Sequence, residues 1–97
     1  MNIFETYHDK IIKLIKSAKE DNLLELPENL SGINVDIPPD KFNCDMSTNV
    51  ALVLSKSNNK SSLEIAELIA DIIKKNDENL DDIKIEKPGF INFIILS

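Results

Sequence analysis

The 97-residue chain contains no arginine and no tryptophan, one cysteine, one histidine and two glycines. Each scarcity removes a class of function. Cys44, standing alone, can form neither an internal disulfide nor a cysteine zinc site. With His8 the single imidazole, a histidine metal centre or a His-dependent triad is not expected. Neither G-x-x-x-x-G-K-S/T nor G-x-G-x-x-G occurs, so no loop is built to cradle phosphates. No apolar run is long enough to span a bilayer. The start Met1-Asn2-Ile3-Phe4-Glu5 lacks the basic-then-apolar signature of a secretory leader. Together these absences lead to the expectation of a reducing, cytoplasmic setting and no membrane span. The missing arginine, beside many Lys, Asn and Ile, reads as genome composition.

What is present is acidic and modestly apolar. Eleven lysines face 17 acids, for a net charge of −6. That balance argues against a free-standing nucleic-acid binder, which carries a basic face. The acids are uneven. Residues 20–45 hold Glu20, Asp21, Glu25, Glu28, Asp36, Asp40 and Asp45 against Lys41, whereas residues 1–19 hold four lysines against Glu5 and Asp9. Apolar residues make up 42% of the chain, enough for one modest core in one domain over residues 1–97.

Periodicity supplies the elements. Phe4, Tyr7, Ile11, Leu14, Ile15 and Ala18 predict an amphipathic helix over residues 3–21, capped by Asn2 with Glu5 completing a capping-box-like pair. Lys10, Lys13, Lys16 and Lys19 fall on its solvent side, either as a solvated face or as phosphate-steering groups. Leu23 to Gly32 reads as a polar loop. Ile33, Val35 and Ile37 alternate as a half-buried strand that Pro38-Pro39 stops. Phe42 to Met46 is a connector able to pair briefly. Asp45 or Ser47 can cap a short helix over residues 47–57, with Val50, Ala51, Val53 and Leu54 inward. After a turn at residues 57–60, Ser61 and Glu64 open a helix running to about Asn76, its stripe being Ile65, Ala66, Ile69, Ile72 and Ile73. Ile83 and Ile85 mark a further strand. Pro88-Gly89 suits the centre of a type II turn, Gly89 supplying positive φ, though a bulge or looser turn fits a hairpin better. A last strand covers residues 90–96. The predicted architecture is α+β, two layers, with a small antiparallel sheet covered on one face by about three helices.

Candidate chemistry concentrates in the last strand. If Ile91, Phe93 and Ile95 face the helices, Phe90 and Asn92 share the opposite face. An aromatic ring can stack on an unpaired base and an amide can read its edge; the same pair could instead belong to a second packed layer. Lys87 is either a phosphate contact or a solvated strand-end lysine. Asp45-Met46-Ser47-Thr48-Asn49 reads as helix capping or as a surface against RNA or a neighbouring domain, with Ser47 and Asn49 the candidate contacts. Phe90, Ile94 and Leu96 could alternatively form an apolar patch for a protein partner. No catalytic constellation and no metal set is found.

Three blocks carry a family resemblance: Asp45 to Lys56 (DMSTNVALVLSK), Glu64 to Glu67 (EIAE) and Pro88 to Phe93 (PGFINF). In this order they resemble the N-terminal additional domain of arginyl-tRNA synthetase. Cys44 stands where that family usually has Gly, and Met46 where it usually has an aromatic or Ala-like residue. The resemblance implies a module that grips the tRNA elbow, where an aromatic and an amide hold a D-loop base. Phe90 and Asn92 match those positions, and Lys87 a neighbouring contact. It further implies a monomeric parent enzyme joining arginine to its tRNA with ATP and magnesium. Neither class I nucleotide-binding signature occurs in this chain, so it is expected to be a non-catalytic piece, ending just after the last strand and partnered by the catalytic domain of the same chain and by tRNA.

Overall fold

The computed structural model describes residues 2–38 and 44–95. Helix α1 (Ile3–Glu20) leads through a loop to the two-residue strand β1 (Val35–Asp36). Strand β2 (Met46–Thr48), helices α2 (Val50–Asn58) and α3 (Ser62–Asn76), and strands β3 (Leu80–Glu86) and β4 (Phe90–Ile95) follow. The strands form one open antiparallel sheet in the order β1-β2-β4-β3. Helices cover one of its faces, as the α+β reading expects.

Local chemistry explains the helices. Asn2 caps α1 by accepting the Phe4 N–H at 2.8 Å, but among the described residues Glu5 returns no bond, so the capping box is half made. Tyr7, Ile11, Ile15 and Ala18 are buried, with Phe4 and Leu14 half-buried against them. Ser61 accepts the Glu64 N–H at 3.2 Å, and its hydroxyl meets the Glu64 carboxylate. The α3 stripe buries Ile65, Ala66, Ile69, Ala70 and Ile73. Each such isoleucine contributes about 1.5–3 kcal/mol of apolar burial. Asn59 ends α2 with φ 54°, a left-handed conformation that asparagine tolerates better than most residues.

Several expectations need correction. The second helix begins at Val50, not at residue 47, because Met46–Thr48 pairs as β2 with β4. Neither Asp45 nor Ser47 caps it. Asp45 instead extends the β2–β4 ladder, donating its N–H to Phe93 O at 2.8 Å and accepting the Ile95 N–H on Oδ2 at 2.8 Å. The alternation through Ile37 breaks: Ile33 and Val35 are buried, but Ile37 is 73% exposed. Lys10 is not a freely solvated lysine, since it pairs with Asp77. The 88–89 turn is not type II. No glycine has positive φ, and the Lys87–Pro88 peptide is cis. Gly89 is required for a different reason: a Cβ there would lie 2.6 Å from Ser62 Cβ, so only a residue without one lets the turn approach α3. Phe42 and Leu96 lie outside the described residues.

Candidate nucleic-acid interface

The side of the sheet away from the core carries a cleft of about 320 Å³, lined by Asn34, Asp36, Ile37, Pro38, Ser47, Thr48, Asn49, Glu86, Lys87, Phe90 and Asn92. Strand alternation builds it. Ile91 and Phe93 point into the core and are fully buried, so Phe90 and Asn92 turn the other way. Asn92 lies opposite Ser47 on β2 and Lys84 on β3, and Phe90 opposite Glu86. Because β4 is an inner strand, Asn92 is held from both sides, while Phe90 pairs only with β3, just beyond the end of the β2 ladder.

The two differ in exposure in a useful way. Phe90 is 38% exposed at the mouth, whereas Asn92 is 2% exposed at depth. The Asn92 Oδ1 is buried and has no hydrogen-bond partner. A buried carbonyl left without a donor costs about 1–3 kcal/mol. Native structures rarely retain such a group unless something else satisfies it. A planar ligand with an N–H on its edge would supply the missing donor once the Asn92 side chain turns toward the cleft.

All five residues singled out from the sequence line this one cleft. Lys87 is exposed at its rim and Ser47 half-buried within it. Asn49 is there too, but its amide is engaged with the loop before β1: Oδ1 accepts the Asn34 N–H at 2.8 Å, and Nδ2 donates to Gly32 O at 2.9 Å. Sequence reasoning missed the opposite wall, formed by Asn34, Asp36, Ile37 and Pro38. Strand alternation put Ile37 inward, and the proline pair was read only as a strand stop. Asp36 and Glu86 bring carboxylates to the cleft, which disfavours a phosphate inside it and suits a neutral base. The α1 lysines do not join this site; Lys10 and Lys13 line a separate groove with Thr6, Asp9, Leu14 and Asn76.

A second polar cluster is structural. The Asp77 side chain has no exposed surface, accepts the Asn79 N–H at 2.8 Å, and has Oδ2 3.0 Å from Lys10 Nζ. That approach is an ion contact rather than a well-aligned hydrogen bond. Burial pushes the Asp77 pKa up. The Asn79 N–H, Lys10 and Tyr7 outweigh that push and hold the carboxyl below its usual range. Tyr7 is pushed up to about 12 by burial and by Asp77 beside it. Its ring lies under the Lys10 ammonium and 6.1 Å from Phe93. His8 reaches Ile33 O at 3.1 Å, and Cys44 is half-buried. Among the described residues no His, Cys, Asp or Glu group is arranged to hold a metal, and no helix is long and apolar enough to cross a membrane.

An exposed ring and an amide whose oxygen lacks a partner thus share one cleft on the inner strand of a small α+β sheet. The chain belongs to the family described as the arginyl tRNA synthetase N terminal domain, whose family model matches residues 5–95. It is 59% identical over 92 residues to the arginine–tRNA ligase of Pelagibacter ubique, covering 95% of this chain and 16% of that protein. It is 37% identical over 95 residues to that of Staphylococcus carnosus, covering 98% and 17%. For the Bartonella henselae protein of the same name the identity is 39% over 94 residues, covering 95% and 16%. The chain thus spans about a sixth of the length of the curated relatives it matches.

Proposed function

We propose that this chain is a tRNA-gripping domain of an arginine–tRNA ligase. In this reading Phe90 stacks on an unpaired D-loop base, Asn92 reads its edge, and Lys87 meets the adjoining backbone from the rim. The observation that carries it is the buried, unpartnered Asn92 Oδ1 in the same cleft as the exposed Phe90 ring. An apolar protein partner seated on the same face would offer the Asn92 amide no donor, which disfavours the assembly-module alternative. The acidic balance is compatible, because a domain tethered to a larger RNA-binding body needs only weak affinity of its own.

The rest of the parent protein would perform the chemistry. ATP and magnesium do not fit the residues present here. No phosphate-cradling loop occurs, and the described residues offer no metal-binding group. The domain would work beside the catalytic part of the same chain, in a monomeric cytoplasmic enzyme.

Replacing Phe90 by Ala in the full-length protein tests the reading. Loss of a stacking contact of about 1–3 kcal/mol should raise the KM for tRNA roughly five- to a hundred-and-fiftyfold, with the KM values for arginine and ATP unchanged. Asn92→Ala should flatten the preference among D-loop base variants more than it weakens binding overall. Unchanged tRNA kinetics in the Phe90 variant would refute base stacking.

A further inference from the structure

The cleft has two unequal sides. One is β4, paired along its length with β3 and also with β2. The other is the segment Asn34–Pro38, whose regular part is only Val35–Asp36, paired with Thr48 and Ser47 at the sheet edge. Two residue pairs at an edge are a weak anchor. The wall must be held by other contacts if its distance from Phe90 is to be defined.

Burial of Ile33 and Val35 and the His8–Ile33 O contact anchor the core side of this segment; on the cleft side the contacts come from the residues that open α2. Asn49 occupies the N-cap position yet makes no side-chain cap bond. An N-cap asparagine ordinarily accepts an N–H of the first helical turn. Here its amide is turned toward the loop, accepting from Asn34 N–H and donating to Gly32 O. Thr48 makes a related link, donating its hydroxyl to Asn34 O at 2.8 Å while accepting the Val50 N–H at 3.2 Å. Three hydrogen bonds therefore converge on the backbone of residues 32–34, where the wall begins. Both ends of the Asn49 amide are occupied, so its group is poorly placed to read a ligand.

We propose that Asn49 is a positioning residue for base recognition: it sets the distance between the Asn34–Pro38 wall and Phe90 rather than touching the base. This rests on the base-reading proposed above. It assigns Asn49 a role different from the direct RNA contact that its place in the cleft suggests.

The test is a double-mutant cycle in the full-length protein, with an arginine-accepting tRNA transcript as substrate. Asn49→Ala should raise the KM for tRNA about fivefold to tenfold, leaving kcat and the arginine and ATP constants unchanged. It should also speed hydrogen exchange at the Asn34 amide. On a Phe90→Ala background it should add less than about twofold, because a wall without its opposing ring has little left to define. Asn49→Asp guards against misfolding. It keeps an acceptor for Asn34, loses the donor to Gly32 O, and its charge suits the α2 N-terminus. It should stay folded and show a smaller KM rise. A raised KM in Phe90→Ala with no change in either Asn49 variant overturns the positioning role and leaves the reader intact. Effects that multiply in the double variant, or unaltered exchange at Asn34, also overturn it. No effect from Phe90→Ala would instead bring down the base-reading itself.

Discussion

Lys10 reaches from α1 to within 3.0 Å of the Asp77 carboxylate, which sits fully buried just past the end of α3. The pair ties the first helix to the α3–β3 turn, with the Tyr7 ring lying beneath the ammonium. Removing one partner of a fully buried pair costs about 3–5 kcal/mol. The Lys10 side chain is 36% exposed, so Lys10→Met should destabilise by less, about 1–3 kcal/mol in urea unfolding.

The same cluster dictates pH behaviour. Asp77 has its folded pKa below the ordinary 3.8, so the folded state holds that proton less tightly than the unfolded chain. Its contribution is complete above that value and fades as pH falls through the lower folded pKa. Tyr7 acts in the opposite sense. Its folded pKa is pushed up from 10.0 to about 12, so its contribution is complete below 10.0 and is lost as pH climbs toward 12. Stability measured against pH should therefore decline at both ends. Asp77→Asn should flatten the acid limb, and Tyr7→Phe the alkaline limb; an unaltered acid limb in Asp77→Asn would contradict the assignment.

Gly89→Ala should destabilise by about 1–3 kcal/mol, the usual range for overpacking. The added methyl would lie 2.6 Å from Ser62 Cβ and 3.1 Å from the Ser62 carbonyl carbon, so backbone must move. The neighbouring Phe90 moves with the turn, and tRNA binding should weaken in step. A variant as stable as the parent would show that the turn can shift freely.

Asn92→Leu should separate stability from recognition. It exchanges an unpartnered buried amide for an apolar side chain of similar size. Removing an unsatisfied polar group should leave unfolding free energy unchanged or raise it by about 1 kcal/mol. Base discrimination should disappear in the same protein. Strong destabilisation would mean that the amide has a structural task.

Lys87→Ala should weaken tRNA binding similarly for all D-loop sequences and reduce the slope of log K against log salt by about 1. An unchanged slope in a titration across ionic strength would remove Lys87 from the interface.

Much of this arrangement was legible because it obeys a period. The stripes of α1 and α3, the Ser61 cap and the two faces of β4 all follow from residue spacing. What escaped detection depends on distance in the chain. Strand β2 is three residues long, too short to show alternation, and its Ser and Thr look like capping residues. Ile37 continues a hydrophobic alternation, yet the strand ends at Asp36, so the side chain emerges into solvent. Asp77 is one acid among seventeen in sequence; only the approach of α1 makes it the buried partner of Lys10. Gly89 was recognisable as necessary but not why, because its neighbour is Ser62, 27 positions earlier. At the cleft, β4 was readable as a pattern. The wall facing it was not, since three hydrogen bonds from Thr48 and Asn49 shape it rather than a local signal.

The sheet order has a mechanical consequence. Phe90 and Asn92 stand on a strand paired with β3 along its length and with β2 over residues 91–93, while Ile37 and Pro38 follow a two-residue border strand. The cleft therefore has one side built into the sheet and another set by side-chain hydrogen bonds from Thr48 and Asn49. On the proposed reading, an arriving nucleotide would conform to the ring, and adaptation by the protein would fall to the rim on the other side.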